Sequence, residues 1–390
     1  MGKRKKSNTK SNKIYPLVSV CTPTFNRRPF IENMINCYKN QTYPIDKMEW
    51  IIVDDGIDKV KDIFDKYTDL NIKYFAVDKM HLGAKRNFMH TKTEGSIIVY
   101  MDDDDYYPPE RVEHSVEKLT KDNQALCAGS SEIYVYFKEE KRMIQCGPYS
   151  ETHATAGTFA FKRALLDITS YEPNAALAEE RHFLKDYTIP FVQLDPLKTI
   201  LVFSHRHNTF DKREMLKPEN KHSVKDSNKT VESFIKFNYE KPVKDFFIDK
   251  IDSLLDEYKL GLPENKPEVL KQTKELKIKR EKMKKEVESD FINADTGIRI
   301  EQNGENKSLT RGEIVGLLKK QQEQIKQLSS GDRGFKIEFV PPNGEPKQLT
   351  VKELVELAQK QFNTILVQNN IINQMRNQLK EIEIEKNKLN

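Results

Sequence analysis

The segment Ile97-Ile-Val-Tyr-Met101 runs without a spacer into Asp102-Asp-Asp-Asp105. Five apolar residues read as a buried strand, whereas four successive carboxylates repel one another and are poor material inside one. The strand has to end at an open edge, with the acids just beyond it. The same arrangement occurs earlier, where Trp50-Ile-Ile-Val53 ends in Asp54-Asp-Gly56. Around these two strands, further apolar runs alternate with helical spacing. Leu17 to Cys21 and Ile72 to Val77 read as strands, and Thr22-Pro-Thr-Phe-Asn26 as a loop. Pro29 to Asn40 and Gly83 to Thr93 read as helices, the second stopped by Gly95, and Pro108-Pro109 opens another. Short apolar strands alternating with helices predict an α/β fold, a mostly parallel sheet flanked by helices on both faces. In such sheets ligands bind at the carboxyl ends of the strands, which is where both acidic clusters sit.

A bivalent cation relieves the repulsion within the aspartate run. Magnesium and manganese prefer carboxylate oxygens and often also hold a substrate diphosphate. On an extended segment Asp102 and Asp104 project to the same side. The competing reading is a solvated acidic turn before the Pro-Pro helix.

Charge and cysteine usage remove other classes. The net charge of +5 suggests nucleic acid, but residues 1–13 carry six basic groups and no acid. The rest of the chain is one charge to the acidic side of neutral, so the excess belongs to a basic, disordered tail. No nucleic-acid partner is expected. Cys21, Cys37, Cys127 and Cys146 form no CxxC pair, so neither a zinc ribbon nor a redox motif is indicated. No apolar run reaches the ~20 residues of a membrane span, and no signal peptide is evident. A cytoplasmic location is the expectation. All eight histidines and 29 of 36 aromatic residues lie before residue 246, which places the chemistry in residues 14–245.

Four segments occur in a fixed order: Val18-Ser-Val-Cys-Thr-Pro-Thr-Phe-Asn-Arg27, Trp50-Ile-Ile-Val-Asp-Asp-Gly56, Gly83-Ala-Lys-Arg-Asn87 and Ile98-Val-Tyr-Met-Asp-Asp-Asp-Asp105. Together they resemble the family 2 glycosyltransferases of the GT-A fold, over about residues 16–210. The resemblance implies that Thr22 and Pro23 lie beside a nucleotide. It implies that Asp54 and Asp55 hold the base and that Arg86 and Asn87 lie against the nucleotide. The family's DxD motif falls on Asp102 and Asp104, with Asp102 near the ribose and Asp104 on the metal. Asp103 joins the nucleotide contacts, and Asp105 supports the motif from behind. Gly157-Thr-Phe-Ala-Phe161 resembles the acceptor-side strand. Where the family usually carries Glu-Asp, this chain has Glu179-Glu180, and its second acid, Glu180, is the expected base with Glu179 the alternative. His207, or else His205, in Ser204-His-Arg-His-Asn-Thr209 is a candidate further metal ligand.

The implied activity is metal-dependent transfer of a hexosyl-type sugar from a nucleotide diphosphate, by default UDP, to a glycan, protein or lipid hydroxyl. A single displacement would invert the anomeric carbon. Arg86 or Lys85 would add to the metal's charge on the leaving group. Two other readings stand beside it: a glycan-binding or assembly protein on an inactive scaffold, and two-metal phosphoryl or nucleotidyl transfer. No P-loop GxxxxGK[ST] supports the latter.

Residues 246–290 read as a charged helical linker, most clearly in the Lys- and Glu-rich stretch from Leu262 to Asp290. Beyond it an internal repeat recurs at an offset of 40: Asn303-Gly-Glu305 as Asn343-Gly-Glu345, and Leu309-Thr310 as Leu349-Thr350. Each unit reads as a strand, a turn, a short strand and an amphipathic helix begun by a capping box, with units at 291–330 and 331–390. Ile365, Ile372 and Leu379 at one heptad position, with Met375, Ile382 and Leu389 at the other, suggest a short coiled coil. Such small α+β units bury little alone and call for each other or for a second copy of the chain.

Overall fold

The computed structural model describes residues 15–176, 180–217 and 224–293. Farther on it describes residues 295–302, 305–310, 312–313, 316, 320, 336–339, 347–350 and 360. The chain divides into two compact units, residues 1–277 and 278–390.

In the first unit, strands β1 (Val18–Thr24), β2 (Met48–Asp54), β3 (Ile72–Ala76) and β4 (Ile97–Tyr100) alternate with helices α1 (Arg28–Lys39), α2 (Lys61–Phe64) and α3 (Leu82–His90). Helix α4 (Arg111–Lys121) follows, then β5 (Cys127–Gly129), β6 (Ile133–Phe137), β7 (Arg142–Cys146) and β8 (Ala160–Lys162). The short helix α5 (Glu180–Phe183), β9 (Phe191–Gln193), β10 (Leu201–Ser204) and β11 (Val224–Asp226) complete the two sheets. The seven-stranded sheet has the order β3-β2-β1-β4-β8-β5-β9 and is parallel except for β8. A second sheet, β10-β6-β7-β11, was not legible in the sequence.

The apolar runs are explained by burial on both faces. Val18, Val20, Trp50, Ile52, Ile97 and Val99 point to one core, which holds α1 and reaches the second sheet. The alternate residues Cys21, Ile51, Val53, Ile98 and Tyr100 point to the other, with Phe159, Phe161, Tyr171 and Phe183. Tyr38 of α1 stacks on Trp50, ring centroids 4.2 Å apart. The four cysteines are free and buried.

Strand β1 runs three residues past its predicted end, through Thr22-Pro23-Thr24, because it pairs in parallel with β2 as far as Thr24 and Asp54. The Thr22 hydroxyl stays inside the sheet, donating to the Met101 carbonyl at 2.7 Å and accepting from the Trp50 indole at 2.9 Å.

The end of the first unit also differs from the predicted boundary at residue 245. After α6 (Lys241–Asp245) comes a wide helical turn, Phe246–Lys250, and then α7 (Ile251–Glu257). Phe246, Phe247, Ile251 and Leu255 are core residues, and Phe247 stacks on Phe203 at 4.0 Å. A helical stripe this apolar belongs inside a domain. Helix α8 (Pro267–Asn293) then carries the Lys- and Glu-rich stretch.

Arg111 is fully buried, and its guanidinium donates to the carbonyls of Tyr100 (3.2 Å), Thr158 (2.8 Å) and Phe159 (2.8 Å). It clamps the end of β4 to the loop before β8. Arg111→Met leaves these buried acceptors short of a donor and is expected to cost about 2–4 kcal/mol, read by urea denaturation.

In the second unit, β12 (Asp295–Gln302) and β13 (Glu305–Thr310) pair antiparallel, with Gln302 opposite Glu305. Strands β14 (Lys336–Phe339) and β15 (Lys347–Thr350) pair likewise, with Phe339 opposite Lys347. The predicted heptads from Ile365 to Leu389, the basic tail 1–13 and Glu179 lie outside the described residues. Among the described residues no helix is long and apolar enough to cross a membrane.

Candidate active site

The carboxyl ends of β1, β2 and β4 open into one cleft, with a cavity volume of about 150 Å3. It collects Pro23, Asp55, Arg86, Asp102, Asp103 and Asp104, residues spread over eighty positions of sequence. The sheet supplies the reason. Parallel neighbours end on the same side, so the residues following each strand share one edge.

The two aspartates after β2 have separate places. Asp54 is fully buried and holds the turn. Its carboxylate accepts the Gly56 amide (2.8 Å), the Val60 amide (3.1 Å) and the Tyr74 hydroxyl. Asp55 faces the cleft, accepting from the Met80 amide at 3.1 Å and pairing with Lys85. Lys85 is buried and also donates to the Thr24 carbonyl at 3.1 Å. Burial pushes its ammonium pKa down, against the opposing pull of Asp55.

Arg86 lies 4.4 Å over the Tyr100 ring, with Nη2 3.7 Å from Asp102 Oδ1. Asn87, next to it on α3, turns away from the cleft. It clasps the Tyr171 backbone through both amide atoms, at 2.8 and 2.9 Å.

Arg27 is the feature that sequence reading missed, although it ends the first of the motif segments. It is buried, with Nε 3.4 Å from Asp103 and Nη2 3.1 Å from Asp104. Lys266, at the start of α8, enters the same end of the cleft and donates to Thr209 Oγ1 at 2.9 Å. No sequence signal marked it, since it sits in the stretch read as a linker.

The charges respond to this crowding. Burial raises the Asp103 carboxyl to about 7, with Arg27 opposing and Asp104 adding. Burial also acts against Asp104, but Arg27, then His205 and Lys266, outweigh it and hold its pKa low. Asp105 lies behind the cleft, pushed well up by burial and by Asp104. Burial lowers Lys266 to about 7. The cleft thus balances several acids against internal cations before any ligand enters.

Hard carboxylate oxygens suit magnesium or manganese, and Asp102 and Asp104 both present them to the cleft. They do not make a complete cage, because among the described residues no three His, Cys, Asp or Glu side chains converge as one. The remaining ligands of any cation would come from the substrate and from water. His207 does not line the cleft. It is fully buried against Gly261, where an added Cβ would come within 2.5 Å of its Nδ1. His205 is the nearer histidine, with Nε2 3.6 Å from Asp104 Oδ2 and 2.9 Å from the Asn208 amide nitrogen.

Glu180 begins α5 and accepts the Ala156 amide at 3.2 Å. The next residue, Gly157, touches the aspartate run. An added Cβ there would come within 3.0 Å of Asp102 Oδ2, and Tyr107 ties the Gly157 carbonyl (3.2 Å) to the Asp102 amide (2.7 Å). Glu180 is therefore connected to Asp102 through two residues, although they are 78 positions apart.

Four buried histidines carry lowered pKa values, each with burial as the first cause: His90 and His205 to about 3, His114 and His207 to about 4. Above pH 6.5 both folded and unfolded states hold these rings neutral. As pH falls from about 6.5 towards 4, the unfolded chain takes up protons that the folded one refuses. Stability is lost at up to ~1.4 kcal/mol per pH unit for each ring. Thermal unfolding across pH 7 to 4 should show a steep fall in Tm below about pH 6, and His90→Gln should flatten it.

Residues 19–174 match the model of glycosyl transferase family 2. A putative teichuronic acid biosynthesis glycosyltransferase, TuaG of Bacillus subtilis, is 30% identical over 106 residues, 26% of this chain and 41% of the relative. The poly(ribitol-phosphate) β-N-acetylglucosaminyltransferase TarS of Staphylococcus aureus is 32% identical over 92 residues, 23% of this chain and 16% of the relative. The chain therefore spans less than half the length of either. Among solved structures, the mannosyltransferase PcManGT of Pyrobaculum calidifontis, in complex with GDP-Man and Mn2+, aligns with a TM-score of 0.41 at 18% identity. That alignment covers 50% of this chain and 59% of PcManGT.

Proposed function

We propose that this chain, whose residues 19–174 belong to glycosyl transferase family 2, moves a sugar from a nucleoside diphosphate to an acceptor hydroxyl with inversion. The observation that carries this reading is the meeting of Asp102–Asp104 and Arg86 at one sheet edge, with Glu180 joined to that edge through Ala156 and Gly157. Acids able to seat a diphosphate's counter-ion are joined through Gly157 and Ala156 to a carboxylate able to take a proton.

In this mechanism Asp55, Arg86 and Pro23 line the nucleotide side of the cleft, and Asp102 and Asp104 would hold a divalent cation. Magnesium or manganese bound there offsets charge building on the leaving diphosphate. Arg86, held over Tyr100, adds a fixed positive charge at the same end. Glu180 accepts the proton of the acceptor hydroxyl as its oxygen bonds to the anomeric carbon and the bond to the diphosphate breaks. One displacement on the face opposite the leaving group inverts that carbon, so no covalent nucleophile is required. Lys85 keeps the first loop in place through Asp55 and the Thr24 carbonyl.

UDP is the first donor nucleotide to try, with a hexose as the sugar. The test is nucleoside diphosphate release from a panel of UDP-, GDP- and dTDP-sugars with manganese or magnesium. Release from one donor, increased by an acceptor glycan, is expected. No release from any donor, and no thermal stabilisation by any nucleoside diphosphate, would overturn the proposal. Stabilisation without release would favour the binding or assembly protein instead.

A further inference from the structure

The segment that follows α7 lies far outside the family-matched residues, yet it forms a wall of the cleft. Its pins can be traced in order. The Tyr258 hydroxyl donates to Asp58 at 2.8 Å. The Leu260 carbonyl accepts from Asn26 Nδ2 at 3.1 Å, and the Gly261 carbonyl from Arg27 Nη1 at 3.3 Å. Glu268 pairs with Lys79 at 2.8 Å. Gln272 holds the other bank through the Asn174 carbonyl (2.7 Å) and the Ala176 amide (2.9 Å). Residues 258–272 therefore strap the loops after β1 and β2 to the loop before α5. Gly261 seats the strap closely, since an added Cβ would lie 2.9 Å from the Asn26 carbonyl oxygen and 2.5 Å from His207.

We propose that this strap delivers Lys266 to the cleft as a ligand of the donor's diphosphate. The inference rests on the donor reading above and adds to it a residue from outside the family-matched residues. Lys266 lines the cleft beside Asp103 and Asp104, half-buried. The hydrogen bond it makes there goes to a neutral hydroxyl, Thr209. The two acids that attract it, Asp103 and Asp104, are shared with Arg27. A half-buried ammonium on a cleft wall gains a full charge partner when an anion enters the cleft. Phosphate oxygens supply that anion, and lysine binds them as a compact point charge. Phe25 strengthens the placement. Its ring, on the cleft wall, has Lys79 at 3.3 Å, Lys266 at 5.6 Å and Lys85 at 6.0 Å, so three ammonium groups surround one spot.

The test compares full-length wild type with Lys266→Met and Lys266→Arg. The ligands are whichever of UDP, GDP, dTDP and CDP wild type binds best, and its bare nucleoside, with manganese held constant. Calorimetry measures the diphosphate and saturation-transfer NMR the nucleoside. Lys266→Met should weaken diphosphate binding about 10- to 100-fold and leave nucleoside binding unchanged. Lys266→Arg should recover most of the loss. Equal diphosphate affinity in wild type and Lys266→Met would overturn the inference while leaving the donor reading standing. An equal loss for diphosphate and nucleoside would also overturn it, since that marks a purely structural lysine. If wild type binds none of the four diphosphates, the donor reading fails and the inference falls with it.

Discussion

Glu180→Gln is expected to lower turnover roughly a hundred- to ten-thousand-fold while leaving nucleoside diphosphate affinity unchanged. The substitution is well suited to the question. Glutamine keeps an oxygen that can accept the Ala156 amide, now at 3.2 Å, so the start of α5 and the Gly157 turn should survive. What it loses is the ability to take a proton. On the proposed reading donor affinity comes from the aspartate run and Arg86, and it should not change. The measurement is kcat from initial rates beside Kd from calorimetry. Wild-type turnover in a folded Glu180→Gln protein would remove Glu180 as the base. Glu179 would be the next residue to change.

Asp104→Asn should reduce transfer by on the order of a hundred- to a thousand-fold and raise the concentration of manganese needed for half-maximal rate. Asparagine is nearly isosteric, so the contact from Arg27 Nη2, at 3.1 Å, can persist through the amide oxygen. The charge that would hold a cation is gone. Asp102→Asn is the companion variant, and it also removes a carboxylate 3.7 Å from Arg86 Nη2. A metal titration of both separates two cases. If activity returns at high manganese, the aspartate serves the cation. If wild type is equally active with the metal chelated and Asp104→Asn is still slow, Asp104 acts by holding Arg27 instead. Unchanged rates at every metal concentration would remove Asp104 from the site.

Much of the central sheet was legible because its signal is local. A run such as Ile97 to Met101 is buried on both faces, so each residue in it is apolar, and the acids beyond mark the edge. The predicted starts of β2, β3 and β4 lie within two residues of those observed. The second sheet was not legible, because its strands are short and pair across distance, as β6 does with β10. The core role of Phe246, Phe247, Ile251 and Leu255 was present as helical spacing, but the charged stretch beyond it drew the boundary too early.

Site residues divide in the same way. Type and position along the chain placed Asp55, Arg86 and Asp102 to Asp104 at the cleft, since each follows a strand or opens a helix at the sheet's ligand edge. Thr22, Asp54 and Asn87 satisfy the same motif, yet their side chains are used to hold the sheet, a turn and the Tyr171 backbone. A motif records which residue stands at a position, not which way its side chain faces.

The sequence by itself determined the class of fold, the acidic edge and the family resemblance, because these depend on residue type and on periods of two and 3.6 along the chain. The tertiary structure alone decided which charges meet. Arg27 and Lys266 are 239 positions apart, and each is unremarkable among its neighbours. They face the same aspartates only because the strap returns across the open end of the sheet. Electrostatic energy depends on distance and burial, and neither can be read along a chain.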